Sequence, residues 1–213
     1  MKDKFERYGV QIPKIVQQAI ALAHELKFPL MPQGRPINYQ GSATACIPEM
    51  GRLLSVLAAG YPDGCIAEYG TGAGVGTAWL VNGLLPEAKL FSAELNEELA
   101  SRASEIFADY PNVEILQGDC FKILANKVPF DLLFMDVGVQ KYLTSENWNL
   151  VTEMVKVGGK IVFDDLAPLE LWPPEWDELV DLKREFAFYN PRVIGAEVRT
   201  TATQVAVIAT RIE

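Results

Sequence analysis

The stretch that leaves this chain least freedom is Cys65 to Trp79, CIAEYGTGAGVGTAW, where a short apolar run meets glycines at every second position, Gly70, Gly72, Gly74 and Gly76. The pattern predicts a buried strand, a tight turn and a packed helix beginning with Val75, Ala78 and Trp79. Glycine accepts φ > 0 and puts no Cβ in the way of an approaching group, so such a turn can bring backbone N–H groups close to a ligand. Close packing of main chain in an α/β domain is the other use of the same turn. Two nucleotide fingerprints fail. The dinucleotide spacing G-x-G-x-x-G/A needs a small residue at Val75 in one register and at Thr77 in the other, and the P-loop lacks its Lys-Ser or Lys-Thr pair. What remains is E-x-G-T-G-x-G, Glu68 to Gly74, whose carboxylate would repel a pyrophosphate and suits an ammonium group.

From this stretch onward the pattern alternates. Lys89 to Ala93 reads as a strand ending in Glu94, and Asn96 caps a helix with Glu97 and Glu98 in its first turn and Leu99, Ala103, Ile106 and Phe107 as its buried stripe. Val113 to Leu116 is a strand, Phe121 to Leu124 a short helix, and Phe130 to Met135 a strand ending in Asp136. Trp148, Val151, Met154 and Val155 mark a helix closed by Gly158-Gly159, followed by a strand over Lys160 to Phe163 and a helix over Trp176 to Phe188. Arg192 to Arg199 and Thr203 to Thr210 alternate like an antiparallel hairpin. Repeated β-α units imply a parallel doubly wound sheet that binds ligands beyond the carboxyl ends of its strands.

Before the glycine stretch, Ile12, Ile15, Val16, Ala19, Ile20, Ala23 and Leu26 predict a helix of about 14 residues, with His24 among its packed residues. Pro29, Pro32, Gly34 and Pro36 then break regular structure. Residues 1–40 are therefore expected as an N-terminal helical extension, placed to cover the site or a partner in a homodimer, and 41–213 as the main domain. A helix from near Pro48 opens the latter, burying Met50, Leu53, Leu54, Leu57 and Ala58.

Composition narrows the partners. A net charge of −9 with scattered basic residues argues against nucleic acid. No apolar run approaches the roughly 20 residues of a membrane span, and MKDKFERYG lacks a signal-peptide core, so the expectation is a cytoplasmic protein without membrane contact. Cys46, Cys65 and Cys120 have no metal or disulfide spacing and read as free thiols. The lone His24 leaves no Ser-His-Asp or Cys-His arrangement for acyl transfer.

Acidic residues stand at the predicted strand ends: Glu94, Asp119, Asp136 and the pair Asp164-Asp165. A carboxylate after the second strand can accept both ribose hydroxyls of a nucleoside. Asp136, Asp164 and Asp165 would repel one another unless protons or a cation intervened, and a hard divalent ion suits them.

Glu68-Tyr-Gly-Thr-Gly-Ala-Gly resembles motif I of class I S-adenosylmethionine (SAM) methyltransferases, and is most similar to the catechol/caffeoyl-CoA type O-methyltransferases. The resemblance runs from about Gly41 to Arg211. It implies a Rossmann-like doubly wound, seven-stranded, mainly parallel sheet with a reversed C-terminal strand, and SAM-dependent O-methylation of a small hydroxyl acceptor of aromatic, catechol-like type. It implies that Gly70, Thr71, Gly72, Gly74 and Gly76 form the cofactor loop around the methionine part. Glu68 would face the amino group, Glu94 the ribose, and Asp119 with Cys120 the adenine. Ser42 and Thr44 would contact or close over SAM, and Asp136 and Tyr142 keep family positions beside it. Mg²⁺ or Ca²⁺ would be held by Asp136, Asp164 and Asp165, with Asp165 standing where the family has Asn. The family pattern D-x-x-K-x-x-Y places a general-base Lys at the position of Val139, and Lys141 lies two residues on. Ala167 to Trp176 holds Trp172 and Trp176, which either shape an aromatic pocket or pack the last helix. Two other readings stay open: a SAM-binding protein with lost or altered catalysis, and a nicotinamide-dependent oxidoreductase, which the glycine spacing disfavours.

Overall fold

In the computed structural model the described residues are 9–30, 44–139, 142–176 and 178–213. Ser42 and Lys141 lie outside them. Seven strands form one sheet: β1 (Cys65–Tyr69), β2 (Lys89–Glu94), β3 (Val113–Gln117), β4 (Phe130–Met135), β5 (Val155–Leu166), β6 (Val193–Arg199) and β7 (Val205–Arg211). Their order is β3-β2-β1-β4-β5-β7-β6. The first five run parallel, and β7 lies antiparallel to both β5 and β6. Strand order reverses at β1, between β2 and β4, so a crevice opens beyond the carboxyl ends of these strands. The expected hairpin is β6–β7.

The helices are α1 (Lys14–Glu25), α2 (Pro48–Ala59), α3 (Val75–Gly83), α4 (Glu97–Ile106), α5 (Cys120–Ile123), α6 (Trp148–Thr152) and α7 (Leu182–Tyr189). They cover both faces of the sheet. On one face Ile66, Leu132, Phe134 and Val162 pack with Val16 and Ala19 of α1, Leu54 of α2 and Trp79 of α3; on the other, Tyr69, Leu133, Met135 and Phe163 pack with Val151 and Phe186. A parallel strand covered on both faces must be apolar where it is buried, which explains the apolar runs Cys65–Ala67 of β1 and Leu132–Met135 of β4. Glu68 is the exception, with no exposed surface at all. α1 belongs to this core. Val16, Ala19 and Ala23 are fully buried, and Glu25 pairs with Arg102 of α4 at 2.9 Å.

Three expectations are corrected. α1 spans 12 residues from Lys14, and His24 is exposed on its outer side rather than packed. The glycines at 158 and 159 do not separate helix from strand: β5 already begins at Val155, and a Cβ on Gly159 would stand 3.0 Å from the Phe130 carbonyl oxygen. They lie where the β4–β5 register shifts, so close strand approach is the demand they meet. Asp164 and Asp165 consequently fall inside β5. The helix expected from Trp176 is two pieces, a 3-10 turn at Pro174–Trp176 and α7, whose cap Asp181 accepts hydrogen bonds from the backbone N–H groups of Lys183 and Arg184. Among the described residues, no helix is long and apolar enough to cross a membrane.

Candidate functional site

The glycine stretch is a tight main-chain turn at the end of β1. Gly70 N and Thr71 N both donate to the Ala93 carbonyl, at 2.9 and 3.2 Å, and Gly74 N donates to the Thr71 carbonyl at 2.9 Å. Gly70, Gly72 and Gly74 all have positive φ. At Gly70 the requirement is double, because φ is +100° and a Cβ would stand 2.3 Å from the Asp136 carbonyl oxygen. The ends of β1 and β4 are thus pressed together, with Asp136 N donating to the Tyr69 carbonyl at 2.9 Å.

Glu68 sits beneath this turn and does not line the cavity above it. Thr77 Oγ1 donates to its Oε2, Ser92 Oγ donates to the same oxygen at 2.6 Å, and Ser92 shares a 2.6 Å hydrogen bond with Thr71. Its Oε1 has no hydrogen-bond partner among the described residues, and it lies 2.3 Å from where a Cβ on Gly76 would be. Burial raises its pKa to about 7, against the lowering effect of Ser92 and Thr77. Gly76 is therefore required by a buried carboxyl. The expectation that Glu68 faces a ligand's amino group is not what the fold builds, because strand alternation turns this side chain toward α3.

A cavity of about 460 Å³ opens above the turn. One wall is Gly70, Thr71, Gly72, Ala73 and Gly76 together with Glu94 and Leu99. Glu94 Oε2 accepts from Gly72 N at 2.8 Å and Oε1 from Asn96 N at 2.9 Å, so the carboxylate is oriented by main chain and still has lone pairs for further donors. Phe28, Thr44 and Ala45 contribute a second side. Asp119 and Cys120 are not part of the lining: Asp119 caps α5, accepting from Phe121 N at 3.1 Å, and burial followed by the nearby Asp119 pushes the Cys120 thiol up to about 12. Tyr142 also stands back, stacked on Phe121 with ring centroids 3.5 Å apart. Gly74 caps α3 from below.

The far end, beyond β4 and β5, holds Asp136, Val137, Val139, Asp165 and Lys183. Asp136 is held well above the usual carboxylate range by burial, then by Asp165, Asp164 and Glu68, while Lys183 acts the other way. Asp164 is buried, and its backbone carbonyl accepts from Lys183 Nζ. Asp165 is exposed at the rim with φ +64°. Val139 is 5% exposed and presents an apolar wall where the resembling family has its Lys. Among the described residues, no group of three or more His, Cys, Asp or Glu side chains is arranged to hold a metal ion. Asp136 is half-buried, Asp164 is buried with its backbone carbonyl taken by Lys183 Nζ, and Asp165 is exposed at the rim, so these residues do not fit a divalent cation. Trp172 and Trp176 stack edge to face at 5.8 Å beneath Arg184 and do not line the cavity.

Lys183 and Phe28 are cavity residues that sequence patterns do not reveal. Phe28 follows a helix that reads as an appendage. Lys183 sits in a stretch whose periodicity suggests one unbroken helix, and only the Asp181 cap, two residues before it, marks the start that aims it.

The fold is that of the class I methyltransferases. Residues 67–166 match a family model described as a methyltransferase domain. The chain is 31% identical over 100 residues to an inferred O-methyltransferase of Mycobacterium avium (strain 104), a match covering 44% of this chain and 45% of the relative. It thus spans less than half the length of that relative. Over nearly its whole length it superposes on the O-methyltransferase TomG from Streptomyces achromogenes, solved with SAM, at a TM-score of 0.74 and 21% identity, covering 98% of this chain and 94% of the other. An O-methyltransferase from Bacillus cereus, solved with SAH, gives 0.72 at 18% identity, covering 97% and 94%.

Proposed function

We propose that this protein transfers a methyl group from SAM to a hydroxyl of a small, flat acceptor. The observation that carries the reading is one cavity wall made of the Gly70–Gly72 main chain and the Glu94 carboxylate, set opposite a charged end at Asp136 and Lys183. The turn offers main chain to the methionine part, and Glu94, held by Gly72 N, accepts the ribose hydroxyls. SAM supplies a methyl group already activated by its sulfonium. The protein's task is to hold an acceptor oxygen in line with that carbon and to exclude water, and orientation of this kind supplies much of such a reaction's acceleration. Phe28 and Val139 give apolar walls for the second part of that task. The relatives' O-methyltransferase names agree with this reading. A methyltransferase domain over 41–213, with the described part of 1–40 walling its cavity, is the matching domain assignment.

Calorimetry with SAM, SAH and NAD tests the proposal. SAM and SAH are expected to bind and NAD not to; no heat from either sulfur nucleoside removes the reading. Val139 at the Lys position favours one rival, a SAM-binding protein without turnover. SAH binding combined with no methyl transfer across a panel of phenols and catechols would select it.

A further inference from the structure

The acidic end of the cavity contains its own cation. α7 begins at the Asp181 cap, whose Oδ1 accepts from Lys183 N at 3.0 Å and Arg184 N at 3.2 Å. The two consecutive cations then part. Arg184 turns inward and is clamped by Asp181 Oδ2 at 2.6 Å, Glu197 Oε2 at 2.7 Å and the Ala167 carbonyl at 2.8 Å. This clamp fixes the first turn of α7 against β6 and the loop after β5. Lys183 consequently reaches back to the end of β5, where Nζ donates to the Asp164 carbonyl and the side chain joins the cavity lining with Asp136, Val139 and Asp165. An ammonium has three N–H donors, and its described contacts use one.

We propose that the Lys183 ammonium takes the place of a divalent ion: it binds the ionised hydroxyl of an aromatic acceptor, making methyl transfer by this protein independent of metal. The inference rests on the SAM-dependent reading. Three observations support it. The carboxylates at 136, 164 and 165 do not form a metal-binding group. Lys183 lines the same end of the cavity as Asp136 and Asp165, with its Nζ held on the Asp164 carbonyl. The neighbouring walls, Val137 and Val139, are apolar and suit a ring carrying one anionic oxygen. A fixed charge in a partly dry site stabilises an oxyanion more than it would in water. The acceptor's proton leaves to solvent. The new O–C bond forms as the S–C bond breaks, its electron pair remains on sulfur, and Lys183 keeps its protons throughout.

The test uses 4-nitrophenol, whose anion absorbs visibly, with the full-length protein stripped by EDTA and saturated with SAH. SAH binding is measured first by calorimetry on wild type, Lys183→Gln and Lys183→Arg, with thermal melting to confirm folding. Wild type is expected to shift the bound probe's ionisation downward by about one unit, a tenfold gain in anion at a given pH. Lys183→Gln, which keeps a donor for the Asp164 carbonyl but no charge, loses the shift, and Lys183→Arg retains it. The proposal is overturned if SAH binds yet the shift is absent, appears only after Mg²⁺ is added, or survives in Lys183→Gln. Failure of SAH to bind instead strikes the methyltransferase reading itself, and this inference falls with it.

Discussion

At the β1–β2 end of the cavity the wall is main chain; at the β4–β5 end it is charged side chain. The first is fixed by positions where backbone leaves no room, such as Gly70 against the Asp136 carbonyl, and by a buried hydrogen-bonded group, Thr71, Ser92, Glu68 and Thr77, beneath the turn. The second is lined by charged side chains, Asp136 after β4, Asp165 in β5 and Lys183 in α7, with Lys183 Nζ held on the Asp164 carbonyl. Main chain gives a wall that single substitutions either leave intact or destroy. A wall of charged side chains can be adjusted one residue at a time.

The largest effect should come from breaking the rigid end. Gly70→Ala combines a left-handed φ with steric overlap and is expected to cost about 3 kcal/mol or more, abolishing SAH binding; thermal melting and calorimetry read both. Next is the carboxyl beneath the turn. Its folded pKa of about 7 lies above the ordinary 4.5, so as pH rises the unfolded chain releases this proton first, and native stability falls across that window. The loss is at most about 3 kcal/mol and is complete above the folded pKa. Glu68→Gln should lack that fall, so urea denaturation at about pH 5 and about pH 8 should show the variant gaining on wild type at the higher pH. An unchanged difference between the two would mean that the carboxyl is already ionised in the fold.

Glu94→Ala should leave the fold standing and weaken SAH about tenfold to a hundredfold, since a charged acceptor for ribose hydroxyls and for Gly72 N is lost. Calorimetry that finds unchanged affinity would move the nucleoside elsewhere. The smallest effect belongs to the adjustable end. Asp165→Asn restores the residue of the resembling family at φ +64°, a conformation both residues tolerate, and should change stability by less than about 0.5 kcal/mol. A melting temperature that rises with added Mg²⁺ in this variant but not in wild type would show that one oxygen-to-nitrogen exchange can create an ion site.

The rigid end was legible in the sequence because its constraint is local: strand, glycines and helix lie within Cys65–Trp79, and Glu94 closes the next strand. The sheet was legible for the same reason, since β-α alternation repeats within short windows. The acceptor end was readable only as a row of acids. Nothing near Lys183 announces that Arg184, clamped to β6, aims it at β5, and nothing near Phe28 shows that a helix resembling an appendage is part of the core. Glu68 misled in the opposite sense. Its position before the glycines suggested a ligand contact, but in a strand the side chain's direction follows from alternation, and this one points beneath the turn.

The family match covers 67–166, yet Phe28 comes from before that stretch and Lys183 from after it. Both ends of the chain therefore supply wall to a cavity whose floor lies in the middle. If the proposed reading holds, exchanging the two flanks while keeping the central segment should change which acceptor is taken without touching the glycine turn.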